Sequence, residues 1–408
     1  MMPIWLDDSH LYAAWVRRHT SLPCLSCSVE DISNETRRGE KVSEGGTLLL
    51  NIELEGDSPS NKQSTAKFKK TLVLKQIPQS KMTLSEQLGL AREALFYEQM
   101  APDLNTNERI IPEILYAWGD MKTGAKVLLM EDLSEDFLDS GVFFGPGNPN
   151  NWNRNLENLV KKAGPNPPSA RDVAAVTFRA MAKVHATFWQ REDLLDAKYQ
   201  WLRGHQWLCG EGRESWEASQ QVIKNSWQGY LEREAQGRPS LQWDPLVRSA
   251  VETAIAGISW DAHQKRLHRA GQWTLVHGDF WPGNCMLRKK ATEIRLLDWE
   301  MVGLGSGPQD LGQYVLSNMD PTERRVCERE LVEVYYKELK NCGVSNADFD
   351  YCWSEYKLGG LERWIWFLVY FIGDDVDMLD WAQFFHGQVS SFMHDHNITI
   401  NDIIQPRP

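Results

Sequence analysis

The stretch that decides the fold is Leu275-Val276-His277-Gly278-Asp279-Phe280-Trp281-Pro282-Gly283-Asn284, and Asp298-Trp299-Glu300 follows 14 positions after Asn284. An apolar strand leads into the polar loop, and two further short strands are predicted between Asn284 and Asp298. Strands on both sides of a loop hold its side chains in place. The sequence therefore predicts that Asp298 returns to lie beside Asn284.

The residue types in this loop suit phosphoryl transfer. That reaction needs a hydroxyl aligned with a triphosphate, a carboxylate near the hydroxyl proton, and metal ions that neutralise phosphate charge. Asp279 has the carboxylate, while Asn284 and Asp298 offer oxygen atoms, which are the ligands that a hard cation prefers. The alternative is that Asp279 and Asn284 merely form turns beside two glycines. The spacing to Asp298 favours the chemical interpretation.

The same residues carry a family resemblance. H-G-D-x-x-x-x-N followed by D-W-E resembles the aminoglycoside phosphotransferase and choline kinase superfamily. The segment LLDWEMVGLGSGPQDLGQYV is similar to its choline-kinase-like branch, which includes the ecdysteroid kinase-like proteins, and MAKVHATFW resembles the helix before the catalytic loop. The resemblance implies ATP and Mg²⁺ as cofactors, a small-molecule hydroxyl acceptor, Asp279 as catalytic base, and Asn284 and Asp298 as metal ligands.

The resemblance also implies an α+β, bilobal, protein-kinase-like fold. The predicted N-terminal lobe, residues 1–132, has an antiparallel sheet plus one helix, and the C-terminal lobe, residues 133–408, is larger and mainly helical. Alternating apolar residues predict the strands, and a polar stretch between the first two is interpreted as a long flexible hairpin tip. The predicted N-terminal elements are strands at 48–54, 71–75, 114–118 and 126–130, and a helix at 85–100.

The resemblance assigns nucleotide-binding residues to the first lobe. Lys75 would hold the triphosphate, and Glu93 would pair with it. Met130 to Asp132 would be the hinge whose backbone contacts adenine.

Gly45, Gly46 and Thr47 would form the nucleotide loop. This loop departs from the family pattern because it has fewer glycines, which leaves fewer backbone amides able to approach phosphate closely.

The acceptor pocket is predicted after Asp298, where aromatic and acidic residues recur. Such groups suit an amine or ammonium cation. A hydroxylated amine is therefore the first hypothesis, a neutral alcohol is the second, and a core role for the aromatic residues is the structural alternative. The candidate acceptor contacts are Trp299, Glu300, Trp366 and Asp374.

Two further polar residues are expected to have structural roles. His277 is interpreted as a buried hydrogen-bonding residue that steadies the loop, and not as the base. Asp310, close to Pro308, is interpreted as a helix cap.

Composition restricts the class of protein and of partner. The chain has 408 residues, with 44 basic and 56 acidic side chains, a net charge of −12. This charge disfavours binding to nucleic acid or to an anionic membrane surface. The first residues lack the features of a signal peptide, and the seven cysteines do not suggest a disulfide framework, so the expected location is cytoplasmic. Oligomeric state is not predicted.

Two other functions compete with a small-molecule kinase. A protein kinase would have a lysine two residues after the catalytic aspartate, where Trp281 stands, and D-F-G where this chain has Asp298-Trp299-Glu300. A catalytically inactive member that binds nucleotide, or acts as a scaffold, is the other alternative. The presence of the base, both metal ligands, the lysine and the glutamate argues against it.

Overall fold

The chain divides into two compact units. The computed structural model describes residues 9–32, 46–58, 61–104, 108–289, 293–374 and 378–404. The first unit comprises Met1–Leu138 and Met286–Met301, and the second comprises Asp139–Cys285 and Val302–Pro408. The segment 286–301, which was assigned by sequence to the second lobe, thus clusters with the first.

A five-stranded antiparallel sheet forms the centre of the first unit, with strand order β1-β2-β3-β5-β4. Three helices accompany it. The strands are β1 (Cys24–Asp31), β2 (Thr47–Ser58), β3 (Asn61–Gln76), β4 (Ile114–Asp120) and β5 (Ala125–Glu131), and the helices are α1 (Ser9–His19), α2 (Met82–Leu88) and α3 (Arg92–Gln99).

The two faces of this sheet are used differently. Side chains alternate between faces along a strand, and one face of β2, β3 and β5 packs with Tyr12, Trp15 and Val16 of α1 into an apolar core. The opposite face has two lysines on neighbouring strands. Lys75 of β3 lies opposite Leu128 of β5, and Lys126 is two residues from Leu128. The alternation of side chains along each strand and the pairing of β3 with β5 therefore place both lysines on one face of the sheet.

Two predictions about this unit were wrong in detail. The predicted hairpin tip is mostly strand, since the β2–β3 ladder continues through Glu55 opposite Lys67 and Asp57 opposite Thr65. Backbone pairing needs no apolar side chains, so the hydrophobic pattern did not detect it. The single predicted helix is two, because α2 ends at Gly89 with φ 70°, a left-handed conformation that glycine adopts at low cost.

A second, three-stranded sheet includes the two strands that lie between Asn284 and Asp298 in sequence. The strands β6 (Phe137–Asp139), β8 (Cys285–Arg288) and β9 (Ile294–Leu296) form it in the order β6-β8-β9. The two strands predicted between Asn284 and Asp298 are therefore present as β8 and β9.

The second unit is mainly helical, with one two-stranded sheet in which β7 (Thr274–Val276) pairs with β10 (Gly303–Gly305). Its helices are α4 (Leu156–Lys161), α5 (Ala170–Thr187), α6 (His205–Leu208), α7 (Arg213–Ala235), α8 (Pro245–Ala256), α9 (Trp260–Ala270), α10 (Pro308–Asn318), α11 (Pro321–Asn341), α12 (Phe349–Asp374), α13 (Leu379–Asp395) and α14 (Ile400–Ile404). The predicted fold class, a small sheet-plus-helix lobe and a larger helical lobe, is confirmed. No helix within the described ranges has both the length and the apolarity that a membrane span requires.

Helices α10 and α12 approach each other closely at two glycines. A Cβ on Gly360 would lie 2.5 Å from the Cα of Gly312, and a Cβ on Gly312 would lie 2.1 Å from the carbonyl oxygen of Tyr356. Neither position can accept a side chain without movement of backbone. This contact positions α10, which contributes two residues to the site described below.

Candidate active site

The loop after β7 brings Asp279 and Asn284 into direct contact. Strand β7 is fully buried and fixes the start of the loop. The Nδ2 of Asn284 donates to the backbone oxygen of Asp279 at 2.9 Å and to its Oδ2 at 3.1 Å. Because the amide nitrogen is engaged with Asp279, the Oδ1 of Asn284 is the atom in this side chain that can coordinate a cation.

Helix α10 supplies two residues to this loop. The Nε2 of Gln313 donates to Oδ1 of Asp279 at 3.3 Å. Asp310 is buried and accepts from the backbone nitrogens of His277 at 2.7 Å and Gly278 at 3.3 Å. The interpretation of Asp310 as a helix cap was wrong, because Gly307 is the N-cap residue of α10 and Asp310 holds the loop after β7 instead. Gln313 was missed because a lone glutamine after P-x-D-L has no distinctive chemistry.

A buried polar network surrounds Asp310. Nε2 of His185 lies 3.4 Å from its Oδ2, and Nδ1 of His185 lies 2.8 Å from the hydroxyl of Tyr335. Burial by itself raises the pKa of Asp310, but contacts with His185 and His277 outweigh it, and its pKa lies below the usual range. Asp310 is therefore a charged anchor for the loop.

His277 occupies the place expected of a steadying residue. Its side chain is buried, and the backbone nitrogen of Asp279 donates to its Nδ1 at 3.3 Å. The interaction closes the turn between the histidine and the candidate base.

In the first unit, Lys75 lies among carboxylates. Its Nζ lies 2.9 Å from Oε2 of Glu93 on α3 and 3.0 Å from Oδ1 of Asp298. The contact with Glu93 that the resemblance implies is present, and Asp298 joins it from a position 223 residues away in sequence. Burial by itself lowers the pKa of Lys75, but Asp298, Glu300 and Glu93 outweigh it and raise the pKa well above its ordinary value.

Asp298 has an uncommon backbone conformation. Its φ is 62°, in the left-handed region that non-glycine residues seldom adopt, although aspartate and asparagine tolerate it better than most. Such conformations cluster at functional sites, because the surrounding structure must maintain them. Its side chain is 37% exposed, more than that of Glu93 at 2% or Glu300 at 22%.

Lys126 is a site residue that the sequence analysis missed. Its side chain is 0% exposed and forms ion pairs with Glu93 and Glu300. Glu300 also lies 3.2 Å from Lys75. The available signal was a lysine inside the otherwise apolar strand A-K-V-L-L-M, since buried lysines are rare unless they are paired.

The predicted acceptor contacts need correction. Trp299 is fully buried and stacks on Phe96 with ring centroids 4.0 Å apart, so its assignment to an acceptor pocket was wrong. Glu300 forms ion pairs with both lysines, and its assignment as an acceptor contact stays a prediction. Trp366 lies partly exposed on α12. Asp374 is the last residue of that helix, and its side chain is outside the described part of the chain.

The predicted nucleotide loop is described only in part, since Gly45 lies outside the described residues. Gly46 accepts a hydrogen bond from the backbone of Gln76 at 2.8 Å, and Thr47 lies directly opposite Lys75 in the ladder. Both are therefore neighbours of the lysine in the sheet.

At the predicted hinge, Met130 is flanked by Val73 of β3 and Ile114 of β4. Strand β5 ends one residue later, so the backbone outside the ladder begins at Asp132. The side chain of Asp132 is engaged locally, where it accepts from the hydroxyl of Thr71 at 2.8 Å and from the backbone of Ser134 at 2.9 Å.

Each unit has side-chain oxygen atoms of the kind that bind a magnesium ion. Oxygen atoms of Glu93, Asp298 and Glu300 lie within 4.8 Å of one another. Lys75 and Lys126 both pair with Glu93 and Glu300, which leaves one net negative charge on the five residues, and Asp298, the most exposed of the three carboxylates, is the one assigned to the cation. Asn284 offers its amide oxygen in the second unit. The prediction that Asp298 and Asn284 share a metal ion stays a prediction.

The middle of the chain matches a known family model. The match covers residues 171–344 and is to the ecdysteroid kinase-like family. The predicted resemblance to the ecdysteroid kinase-like proteins is confirmed over this segment. The matched segment contains Asp279, Asn284 and Asp298, whereas Lys75 and Lys126 precede it.

Solved structures show a general likeness along the whole chain. A choline kinase from Cryptosporidium parvum Iowa II is 11% identical, with 98% of each chain covered and a TM-score of 0.47. A choline kinase from Streptococcus pneumoniae is 14% identical, with 95% of this chain and 100% of that chain covered and a TM-score of 0.44. The GDP complex of an aminoglycoside 2'-phosphotransferase-IIIa mutant is 11% identical, with 96% and 100% covered and a TM-score of 0.48. No curated protein matches the sequence.

Proposed function

We propose that this chain is an ATP-dependent small-molecule kinase that transfers the γ-phosphoryl group to a hydroxyl of a small acceptor. The observation that carries the proposal is the position of Lys75, whose ammonium group contacts both Glu93 and Asp298. A cation for phosphate is thereby adjacent to a carboxylate of the type that binds magnesium. Phosphoryl transfer requires both groups.

Each motif residue has a role that its contacts support. Asp279 is the base, and the hydrogen bonds from Asn284 and Gln313 set the direction of its carboxylate. Asn284 and Asp298 are the magnesium ligands. A bound magnesium ion would neutralise charge on the phosphates. Lys75 holds the triphosphate, and the hinge from Met130 to Asp132 receives the adenine.

The acceptor is a small molecule with a free hydroxyl. The hypothesis of a hydroxylated amine has lost one of its four supporting residues, because Trp299 is buried against Phe96. Glu300, Trp366 and Asp374 remain as its basis. A neutral alcohol is the competing acceptor class.

The proposal is tested by measuring ADP formation with MgATP and a panel of amino alcohols and neutral alcohols. Acceptor-dependent ADP formation, with a phosphorylated product detected by mass spectrometry, is the expected result. The same panel separates the acceptor classes, because uniform preference for uncharged alcohols would exclude the amine hypothesis.

The same assay separates the alternative functions. An inactive nucleotide-binding protein would bind MgATP without acceptor-dependent turnover. A protein kinase would phosphorylate protein substrates and ignore the small-molecule panel. Failure of the wild-type chain to bind MgATP would contradict the proposed function and the nucleotide-binding alternative together.

A further inference from the structure

Lys126 is a buried cation that the roles above leave unexplained. Its side chain has no exposed surface, and most of its neighbours in strand β5 are apolar. A buried ammonium group is costly unless it is paired, and the pairs must have good geometry to offset its desolvation. The ion pairs of Lys126 are with Glu93 and Glu300. An apolar side chain in this strand would avoid that cost, so the charge itself calls for an explanation.

The two lysines share the same carboxylates but differ in access. Lys75 lies 2.9 Å from Glu93 and 3.2 Å from Glu300, the same two groups that Lys126 contacts. Lys75 is 22% exposed and also contacts Asp298, whereas Lys126 is 0% exposed. A ligand that arrives from solvent can therefore meet Lys75 but not Lys126.

This arrangement changes what happens when Lys75 turns toward an anionic ligand. Two carboxylates, Glu93 and Glu300, would lose one of their two cations. With Lys126 in place, they keep a buried partner and one charge remains uncompensated. Without Lys126, Lys75 would be their sole partner among these four residues, and moving it toward a ligand would leave two negative charges uncompensated, one of them on the buried Glu93.

We propose that Lys126 is a positioning residue that neutralises Glu93 and Glu300 and so releases Lys75 to bind the phosphates of a nucleotide. The inference rests on the proposed function. It assigns the two lysines different tasks: Lys75 contacts the nucleotide, and Lys126 acts through Glu93, Glu300 and Lys75 without contacting it.

The test compares MgATP affinity by isothermal titration calorimetry in a set of charge variants. K126M should raise the MgATP dissociation constant on the order of tenfold or more, because Lys75 is then held between two carboxylates. K126M/E300Q removes one cation and one anion together and should return the dissociation constant to within about threefold of wild type. K122M is the matched control, since Lys122 is an exposed lysine next to β5 and its substitution should leave the affinity unchanged.

A purely structural role for Lys126 makes a different forecast. If K126M weakened binding only through lost packing, adding E300Q would not restore the MgATP affinity. A K126M/E300Q variant that binds MgATP as weakly as K126M would therefore overturn the inference. In steady-state assays, K126M should raise the KM for ATP while kcat at saturating ATP changes much less. Equal affinity of K126M and wild type would also overturn it.

The remaining outcomes are also decisive. If K126M does not fold, the MgATP affinity of the single variant E300Q tests the inference. Losing one carboxylate that holds Lys75 should leave MgATP binding as tight as in wild type or tighter, and a tenfold loss would contradict the inference. If the wild-type chain itself does not bind MgATP, the proposed function fails first and the role of Lys126 falls with it. If wild type binds and only the variant pattern is wrong, the proposed function stands without the inference.

Discussion

At Asp279, two side-chain amides act on one carboxylate. Asn284 donates to Oδ2 and Gln313 donates to Oδ1, so both oxygens have a defined orientation. A base must be oriented toward the proton that it accepts before its basicity matters. The two hydrogen bonds thus orient the carboxylate that we propose as the base.

Substitution of Asp279 by asparagine tests this role. The variant D279N keeps the size of the side chain and an oxygen acceptor, but it removes the basic carboxylate. Acceptor-dependent turnover should fall about 10²- to 10⁴-fold, while MgATP affinity measured by calorimetry stays close to that of wild type. D350N changes an exposed aspartate at the start of α12 and should leave turnover unaltered. Retention of near wild-type turnover by D279N would contradict the assignment.

At the scale of elements, one carboxylate on α10 anchors the loop that follows β7. Asp310 accepts from the backbone of His277 and Gly278, and it is fully buried with a lowered pKa. A lowered pKa in the folded state adds stability above the ordinary carboxyl pKa, and this stability is lost as pH falls through the lowered value. The anchor therefore works fully at neutral pH.

The variant D310N should lower the free energy of unfolding by about 2–3 kcal/mol at pH 7, because an amide nitrogen replaces an oxygen facing backbone donors. Urea denaturation from pH 8 to pH 3.5 measures this difference. It should be constant from pH 8 to pH 5 and shrink only below about pH 4. D320N is the control, because asparagine caps a helix as well as aspartate does at the N-cap of α11. A difference that already shrinks between pH 7 and pH 5 would contradict the prediction.

The crossing of α10 and α12 makes a separate prediction about packing. G360A adds a Cβ that would lie 2.5 Å from the Cα of Gly312. Forcing the helices apart should cost about 1–3 kcal/mol of stability and reduce turnover, because α10 carries both Asp310 and Gln313.

G387A is the matched control on α13, where an added Cβ meets nothing within 4 Å. Because alanine favours a helix over glycine, that variant should be neutral or up to about 1 kcal/mol more stable. Equal stability of G360A and wild type in urea would contradict the close approach.

For the whole molecule, ligand binding and folding are linked. A ligand that binds the folded state alone raises the midpoint of thermal unfolding. At an MgATP concentration a hundredfold above the dissociation constant, binding should stabilise the folded state by about 2–3 kcal/mol. The melting temperature of wild type should therefore rise by several degrees. Addition of EDTA should abolish most of the shift.

D298N is the informative variant in this measurement. Asparagine tolerates the left-handed backbone of residue 298, so the change removes a charge without adding much strain. The magnesium-dependent part of the thermal shift should be lost, while the melting temperature without ligand changes little. A full MgATP shift in D298N would exclude Asp298 as a magnesium ligand.

Local patterns were sufficient for much of the fold and for the motif residues. The apolar strand before Asp279 and the short strands on the way to Asp298 follow from alternation and spacing over a few residues. The break at Gly89 and the extended β2–β3 ladder were missed because they depend on one backbone angle and on backbone pairing, which hydrophobic patterns do not encode.

The sequence by itself determined the α+β class and the motif from His277 to Glu300, because both have local signatures, and the family resemblance implied Lys75 and Glu93. Only the tertiary structure decided the surroundings of these residues. Strand register brings Lys126 onto the face of Lys75, and the folding of α10 brings Asp310 and Gln313 to the loop. The physical reason is that burial and ion pairing depend on neighbours distant in the chain. A buried lysine or a stacked tryptophan is therefore recognised only when its partners are in place.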